Sequence, residues 1–481
     1  MELREPIERL IRDPKEFTRS VPFPAPAEIR IYDETLRDGE QMPGVCYTPS
    51  QKLEIAKALA GIGVHVMSVG FPAASQGDRR TLQLVMEAKR RGELGQVEIV
   101  VMCRSNPKDI DVTVETLREA GIAPKDVTFF IFTSGSDLHL KYKIGKTLLR
   151  YEGKDEAEWL DLPLAFYRSA NIRLQCDAIA HARTYGIDRI EFGAEDGSRG
   201  DVDYFVEYFK AGLDAGGTRP AWPDTVGTLT PEATRWYCTR IVEGLPKGLP
   251  LVAHLHNDYG LGTINAITAT SCGFKVISVT ANGYGERAGN VKLHEFVVAL
   301  KALYGVEIPG FKYAKLRELA RFMERMSGIP MQQHEPIVGS KVFAHESGIH
   351  THGVLIDRRM YEAVNAELVG GQTTFVFGKH SGVALVEDTL RRHAGPLGAA
   401  GVEVTNELAH RVTDEIKRLR EERAASSRSS EAIDAYEAAM RRLSLDESDV
   451  VAIATALGSP QLSAARSESR TTRSDPVRRP A

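Results

Sequence analysis

Eight short runs rich in β-branched and aromatic residues recur along this chain: EIRIYD (28–33), VHVMSVG (64–70), VEIVVMC (97–103), VTFFIF (127–132), DRIEFG (188–193), RPAWPDTVG (219–227), PLVAHLH (250–256) and VISVTANG (276–283). The stretches between them, such as SQKLEIAKALAGIG, DIDVTVETLREAG and DVDYFVEYFKAGLDAGG, have helical apolar spacing, and several close on glycine as a helix C-terminus should. Strands alternating with helices are the signature of an α/β fold with a parallel sheet. An open doubly wound sheet has the same local rhythm, but eight units within roughly 250–280 residues are the count of a closed barrel. The expectation is therefore a (β/α)8 TIM barrel over 28–305, preceded by an N-terminal extension (1–27) and followed by a smaller, mainly helical C-terminal region (306–455). The segment 328–382 is loop-rich within that region. The Ser/Arg-rich end, 456–481, has almost nothing to bury and is expected to be disordered.

Composition removes several function classes. A formal charge of −4 over 481 residues creates no global field for nucleic acid or an anionic membrane, so a charged ligand must be held locally. Cys46, Cys103, Cys176, Cys238 and Cys272 form no C-x-x-C pair, which argues against a zinc ribbon or a disulfide framework and for a reducing cytoplasm. The N-terminal MELREPIERLIRDPKEF lacks an apolar core, and no segment approaches a charge-free membrane span. The segment 134–168 is longer than an ordinary βα loop, and is expected to reach over the barrel mouth.

In such a barrel the active site is built at the C-terminal ends of the strands, and there this sequence places its unusual polar residues. Arg37 and Asp38 follow the first strand. Glu195 and Asp196 end the fifth, Thr225 the sixth, and His254 and His256 the seventh. The eighth runs into NGYGERAGN, with Glu286, Arg287 and Asn290 in a glycine-rich loop. Residues two apart on a strand share a face, so the imidazoles of AHLHNDYG lie side by side. With Asp38 they make a mixed O/N donor set suited to Mn²⁺, Mg²⁺, Zn²⁺ or Co²⁺. Each piece alone has a structural use: H-x-H as core histidines, RDG as a turn, GERAGN as a loop with an ion pair. Their coincidence at the ends of different strands is the argument for a site.

LRDGEQMPG (36–44), FGAEDGSR (192–199), DTVG (224–227), HLHNDYGLG (254–262), NGYGERAGN (282–290) and AHESGIHTHG (344–353) together resemble the isopropylmalate synthase and homocitrate synthase family, over about residues 28–385. The resemblance implies that Asp38, His254 and His256 are divalent-metal ligands, with Asn290 on or near the metal. Arg37 would contact the keto oxygen of a 2-oxo acid and Thr225 its carboxylate. Glu195, His350 and Tyr361 would serve acid/base steps, with His350 and Tyr361 reaching the barrel of a partner subunit in a homodimer. The implied reaction is a Claisen condensation of acetyl-CoA with a 2-oxo acid, then thioester hydrolysis to a 2-substituted malate and free CoA. A metal-dependent acyl-CoA lyase is a rival, although the cysteine-bearing glycine loop of hydroxymethylglutaryl-CoA lyase is replaced by GYGERAGN; a catalytically dead barrel used as a scaffold is another. VGFPAASQGD and SDLHLKYKIG, with His139, look closer to isopropylmalate synthases, favouring a short alkyl acceptor. The region 402–444 is helical in pattern, with an apolar stripe of Val404, Leu408, Val412, Ile416 and Leu419, and is too short for the family's leucine-sensing domain. That departure keeps open an anionic acceptor, 2-oxoglutarate or a phosphonate analogue of pyruvate.

Overall fold

In the computed structural model, which describes residues 10–426 and 430–443, the first strand pairs in parallel with both the second and the eighth. The sheet therefore closes in sequence order as β1 (Arg30–Asp33), β2 (Val66–Ser68), β3 (Glu98–Arg104), β4 (Thr128–Ser134), β5 (Ile190–Glu195), β6 (Arg219–Asp224), β7 (Val252–Leu255) and β8 (Val276–Val279). All eight expected runs supply a strand, each within three residues of its predicted bounds or shorter.

The helices begin and end where local chemistry dictates. Thr48 caps Pro49–Ile62 by accepting from the backbone N–H of Gln51, whose side chain returns to the Thr48 N–H, and Gly63 stops the helix at φ +105°. Asp201 accepts from the N–H groups of Asp203 and Tyr204 to start Val202–Asp214.

Alternation along the strands divides two apolar layers. Tyr32, Val66, Val100, Ala221, Val252 and Val276 fill the barrel interior against Phe130, whereas Ile31, Ile99, Phe129, Ile131, Phe192 and Ile277 face the surrounding helices. The interior also carries charge. Arg219 is buried between Glu191 (2.7 Å) and Glu98 (2.8 Å), and Glu98 accepts from Thr128 and from Arg30. This ionic layer plugs the barrel beneath its mouth.

Beyond the barrel, Leu316–Ser327, Gly348–Ile356 and Val383–Arg392 are helices, as expected of a mainly helical region. The loop-rich stretch also contains a small parallel pair of two-residue strands, Ala344–His345 and Thr374–Phe375. By its contacts the chain forms one unit, Met1–Glu421, and a second, Glu422–Ala481, so the barrel and the region after it fall in the same unit. Asn406–Ser426 is a helix whose inward positions are Ala409 and Thr413; Leu408, Val412 and Ile416 are half-buried, and Leu419 is exposed. The end expected to be disordered, 456–481, lies outside the described residues.

Candidate active site

The turn after β1 is wound tightly, with the N–H groups of Arg37, Asp38 and Gly39 all donating to the carbonyl of Glu34, which drives the Asp38 side chain into the barrel mouth. Opposite it, His254 on β7 and His256 just past it share the inward face. Their Nε2 atoms lie 3.1 Å apart, and each is 3.6 Å from Asp38 Oδ2. Three donor atoms on a triangle of this size suit a cation about 2.0–2.2 Å from each. Burial lowers the His254 imidazole to about 4 and, with repulsion from His254, that of His256 to about 3, so both are neutral at pH 7. Burial raises the Asp38 carboxyl, but Arg37, the two histidines and Asn290 outweigh it and hold the group at about 2. The set is one carboxylate and two neutral imidazoles, the protonation state a metal requires.

Asn290 supports it. Its Nδ2 donates to Asp38 Oδ2 at 2.5 Å, and its buried Oδ1 has no protein partner. His256 Nδ1 is likewise buried without one. A second His/carboxylate group, His294, Glu295 and Glu335, already holds a cation: the ammonium of Lys292 pairs with Glu335 and lies 3.3 Å from Glu295.

The other expected residues divide into two places. Arg37, Glu195 and Thr225 line the same mouth cavity as the Asp38/His254/His256 cluster, about 330 Å³ in volume. Arg37 pairs with Glu34 and lies 3.4 Å from Asp38, while Thr225 accepts from the Asp196 N–H at 2.8 Å. His139 is not among the residues that line this cavity; its Nε2 lies 3.6 Å from Asp196, and burial lowers its pKa more than Asp196 and Glu195 raise it. His350 and Tyr361 do not line this cavity; they stack on each other on an exposed face of the following region. The long segment 134–168 does reach the mouth. Its π-helix, His139–Lys143, delivers Lys143 to an ion pair with Glu195.

Several lining residues escaped sequence reasoning. Met102, Phe130 and Phe132 line the cavity from β3 and β4, Glu34 lines it beside the Asp38/His254/His256 cluster, and Lys143 pairs with Glu195. The alternation of β3 and β4 placed Phe130 and Phe132 on one face, but nothing local showed that the face borders a cavity.

Residues 28–157 and 162–323 match the HMGL-like family, and 337–424 match the family described as homocitrate synthase post-HMGL domain-like. The chain is 39% identical to the "Probable 2-isopropylmalate synthase" of Ignicoccus hospitalis over 394 residues, covering 82% of this chain and 88% of that one. It is 35% identical to the 2-isopropylmalate synthase of Sulfurisphaera tokodaii (82% and 91% covered) and 36% identical to a homocitrate synthase of Methanocaldococcus jannaschii (82% and 87%). The chain belongs to the isopropylmalate synthase and homocitrate synthase family.

Membership makes it an acyltransferase that condenses acetyl-CoA with a 2-oxo acid, as the sequence motifs implied, in a metal-dependent family. The match over 337–424 extends the family likeness through the region bearing His350 and Tyr361. No helix among the described residues is long and apolar enough to cross a membrane.

Proposed function

We propose that this synthase uses a short aliphatic 2-oxo acid as acceptor, with Asp38, His254 and His256 holding a divalent cation and Asn290 steadying Asp38. One observation carries the acceptor class. The mouth cavity is lined by apolar Met102, Phe130, Phe132, Ala194, Ala221 and Val252 as well as by charged groups, the buried Glu191 among them, and each of its cations already has a carboxylate partner. Arg37 pairs with Glu34 and Asp38, Lys143 with Glu195, and Arg287 with Asp258. A second carboxylate or a phosphonate on the acceptor would lie against those apolar side chains and the Glu191 carboxylate without a cation of its own, at a desolvation cost on the order of several kcal/mol. An alkyl group gains by the same burial. This favours the short alkyl reading over 2-oxoglutarate or phosphonopyruvate.

A cation held by Asp38, His254 and His256 would supply Lewis-acid polarisation of the acceptor's carbonyl. The Arg37 guanidinium donates to the keto oxygen and gains strength as that oxygen becomes an alkoxide. The Thr225 hydroxyl binds the acceptor's carboxylate. Neutral Mn²⁺-, Mg²⁺-, Zn²⁺- or Co²⁺-binding imidazoles are unavailable as bases, so the acetyl methyl loses its proton to His350 of a second copy, assisted by Glu195, with Tyr361 as proton donor. A homodimer is supported by the exposed face that carries these two residues beside Ile349, Ile356 and Met360. A cytoplasmic enzyme using small-molecule substrates, with no nucleic-acid or membrane partner, fits the small net charge.

The test is CoA release from acetyl-CoA with a panel of 2-oxo acids under added Mn²⁺. Turnover confined to acceptors with short alkyl side chains is expected. Preference for 2-oxoglutarate or phosphonopyruvate would overturn the assignment.

A further inference from the structure

The buried carboxylate of Glu34 makes three contacts that no substrate-binding role explains. One oxygen, Oε1, lies 3.0 Å from His254 Nδ1 and accepts from Ser278 Oγ at 2.8 Å; the other, Oε2, pairs with the Arg37 guanidinium. Ser278 Oγ is itself 2.9 Å from His254 Nδ1. Counting hydrogens settles the tautomer. Glu34, held against Arg37, has only lone pairs to offer, and the single hydroxyl hydrogen of Ser278 is directed to Oε1. Both neighbours of Nδ1 are therefore acceptors, and the imidazole proton resides on Nδ1. The lone pair is left on Nε2, aimed at His256 Nε2 and Asp38 Oδ2. His256 has no such support, because its Nδ1 is buried without a partner.

We infer that Glu34 is a positioning residue that holds His254 in the Nδ1–H tautomer for metal binding with one oxygen and fixes the Arg37 guanidinium at the acceptor's keto oxygen with the other. The inference rests on the reading of His254 as a metal ligand. One side chain thereby couples the two groups that polarise the same carbonyl, and it is 2% exposed, so its geometry is set by packing rather than by solvent.

The two oxygens predict separable effects. In Glu34→Ala both contacts go: Mn²⁺ affinity, measured by calorimetry on metal-stripped enzyme, should fall about 10–100-fold, the loss typical of an outer-shell partner. The visible absorption bands of the Co²⁺-substituted protein should shift with it. In Glu34→Gln the amide carbonyl still accepts from Nδ1–H, so Mn²⁺ affinity should change less while kcat falls through the loosened Arg37. Glu34→Asp should recover part of the kcat. A folded Glu34→Ala enzyme with wild-type Mn²⁺ affinity and an unshifted Co²⁺ spectrum would overturn the proposal; if that variant does not fold, Glu34→Gln with unchanged kcat would do so. His254→Ala, measured alongside, separates the two levels: wild-type Mn²⁺ affinity in that variant overturns the metal-site reading itself.

Discussion

The imidazole of His350 stacks on the ring of Tyr361, centroids 4.2 Å apart and planes 24° from parallel, on a face of the chain away from the lining of its own barrel mouth. If that face completes the mouth of a second copy, the defects of two inactive variants lie in different chains. Mixing His350→Ala with His254→Ala and allowing exchange should then restore activity. In a twofold dimer, random exchange makes half the dimers mixed, and each mixed dimer has one intact site, so about a quarter of wild-type activity is the upper limit. A mixture that stays inactive after exchange is demonstrated, or an active strict monomer, contradicts a site built from two chains.

Removal of a proposed metal ligand should separate function from folding. Asp38 and His256 converge at the barrel mouth above the packed interior, so Asp38→Ala and His256→Ala should each lower turnover by more than the roughly 100-fold typical of an outer-shell partner while the far-UV circular dichroism stays native. Chelation of the wild-type enzyme should abolish CoA release, and added Mn²⁺ should restore it. Full activity in exhaustively demetallated protein is the opposing result.

The barrel was legible because its signal is local: each strand and helix carries its own period, and eight repetitions identify the closure. The convergence of His254 and His256 was legible for the same reason, since H-x-H on a strand fixes both imidazoles to one face. Glu34 was not. Its significance lies in His254 and Ser278, which are 220 and 244 residues away, and no pattern in YDETLRD shows which neighbours β7 and β8 will bring. The Ala344–His345 and Thr374–Phe375 strands were hidden because two residues are too few to show a period. Lys143 escaped because a π-helix turns its side chains through an unusual angle per residue, so the apolar spacing around it gives no helical face.

The glycine-rich loop should be intolerant of a single methyl group. Gly289 has φ +83°, and a Cβ there would lie 1.9 Å from the carbonyl oxygen of Gly283, so the backbone itself must shift. Asn290, the next residue, holds Asp38 at 2.5 Å. In Gly289→Ala the unfavourable backbone region alone costs on the order of 1–3 kcal/mol. We expect a measurable fall in melting temperature together with weakened Mn²⁺ binding; native Mn²⁺ affinity in the variant would show that the loop does not position Asn290.

Asp33 should make stability depend on pH in the direction opposite to a paired carboxylate. It ends β1 with its side chain fully buried; Oδ1 accepts from the Thr35 N–H, and Oδ2 has no protein partner. Burial, only partly offset by the bonds from Thr35 and Ala281, pushes its carboxyl up to about 7. In the unfolded chain an aspartate ionises near ~3.9. Between these values the folded state binds more protons than the unfolded one, so this group's contribution is fully present below about pH 4 and is lost as pH rises through about 7. The total is on the order of 4 kcal/mol. Asp33→Asn keeps the Oδ1 acceptor for Thr35 and removes the titration. Urea unfolding of the metal-free proteins across pH 4–8 should therefore show the variant gaining on the wild type as pH increases, with a plateau above about pH 7.5. Other carboxylates titrate alike in both proteins and cancel in the difference. Parallel stability curves for the two proteins over this range would mean that Asp33 ionises normally and that its buried oxygen is solvated.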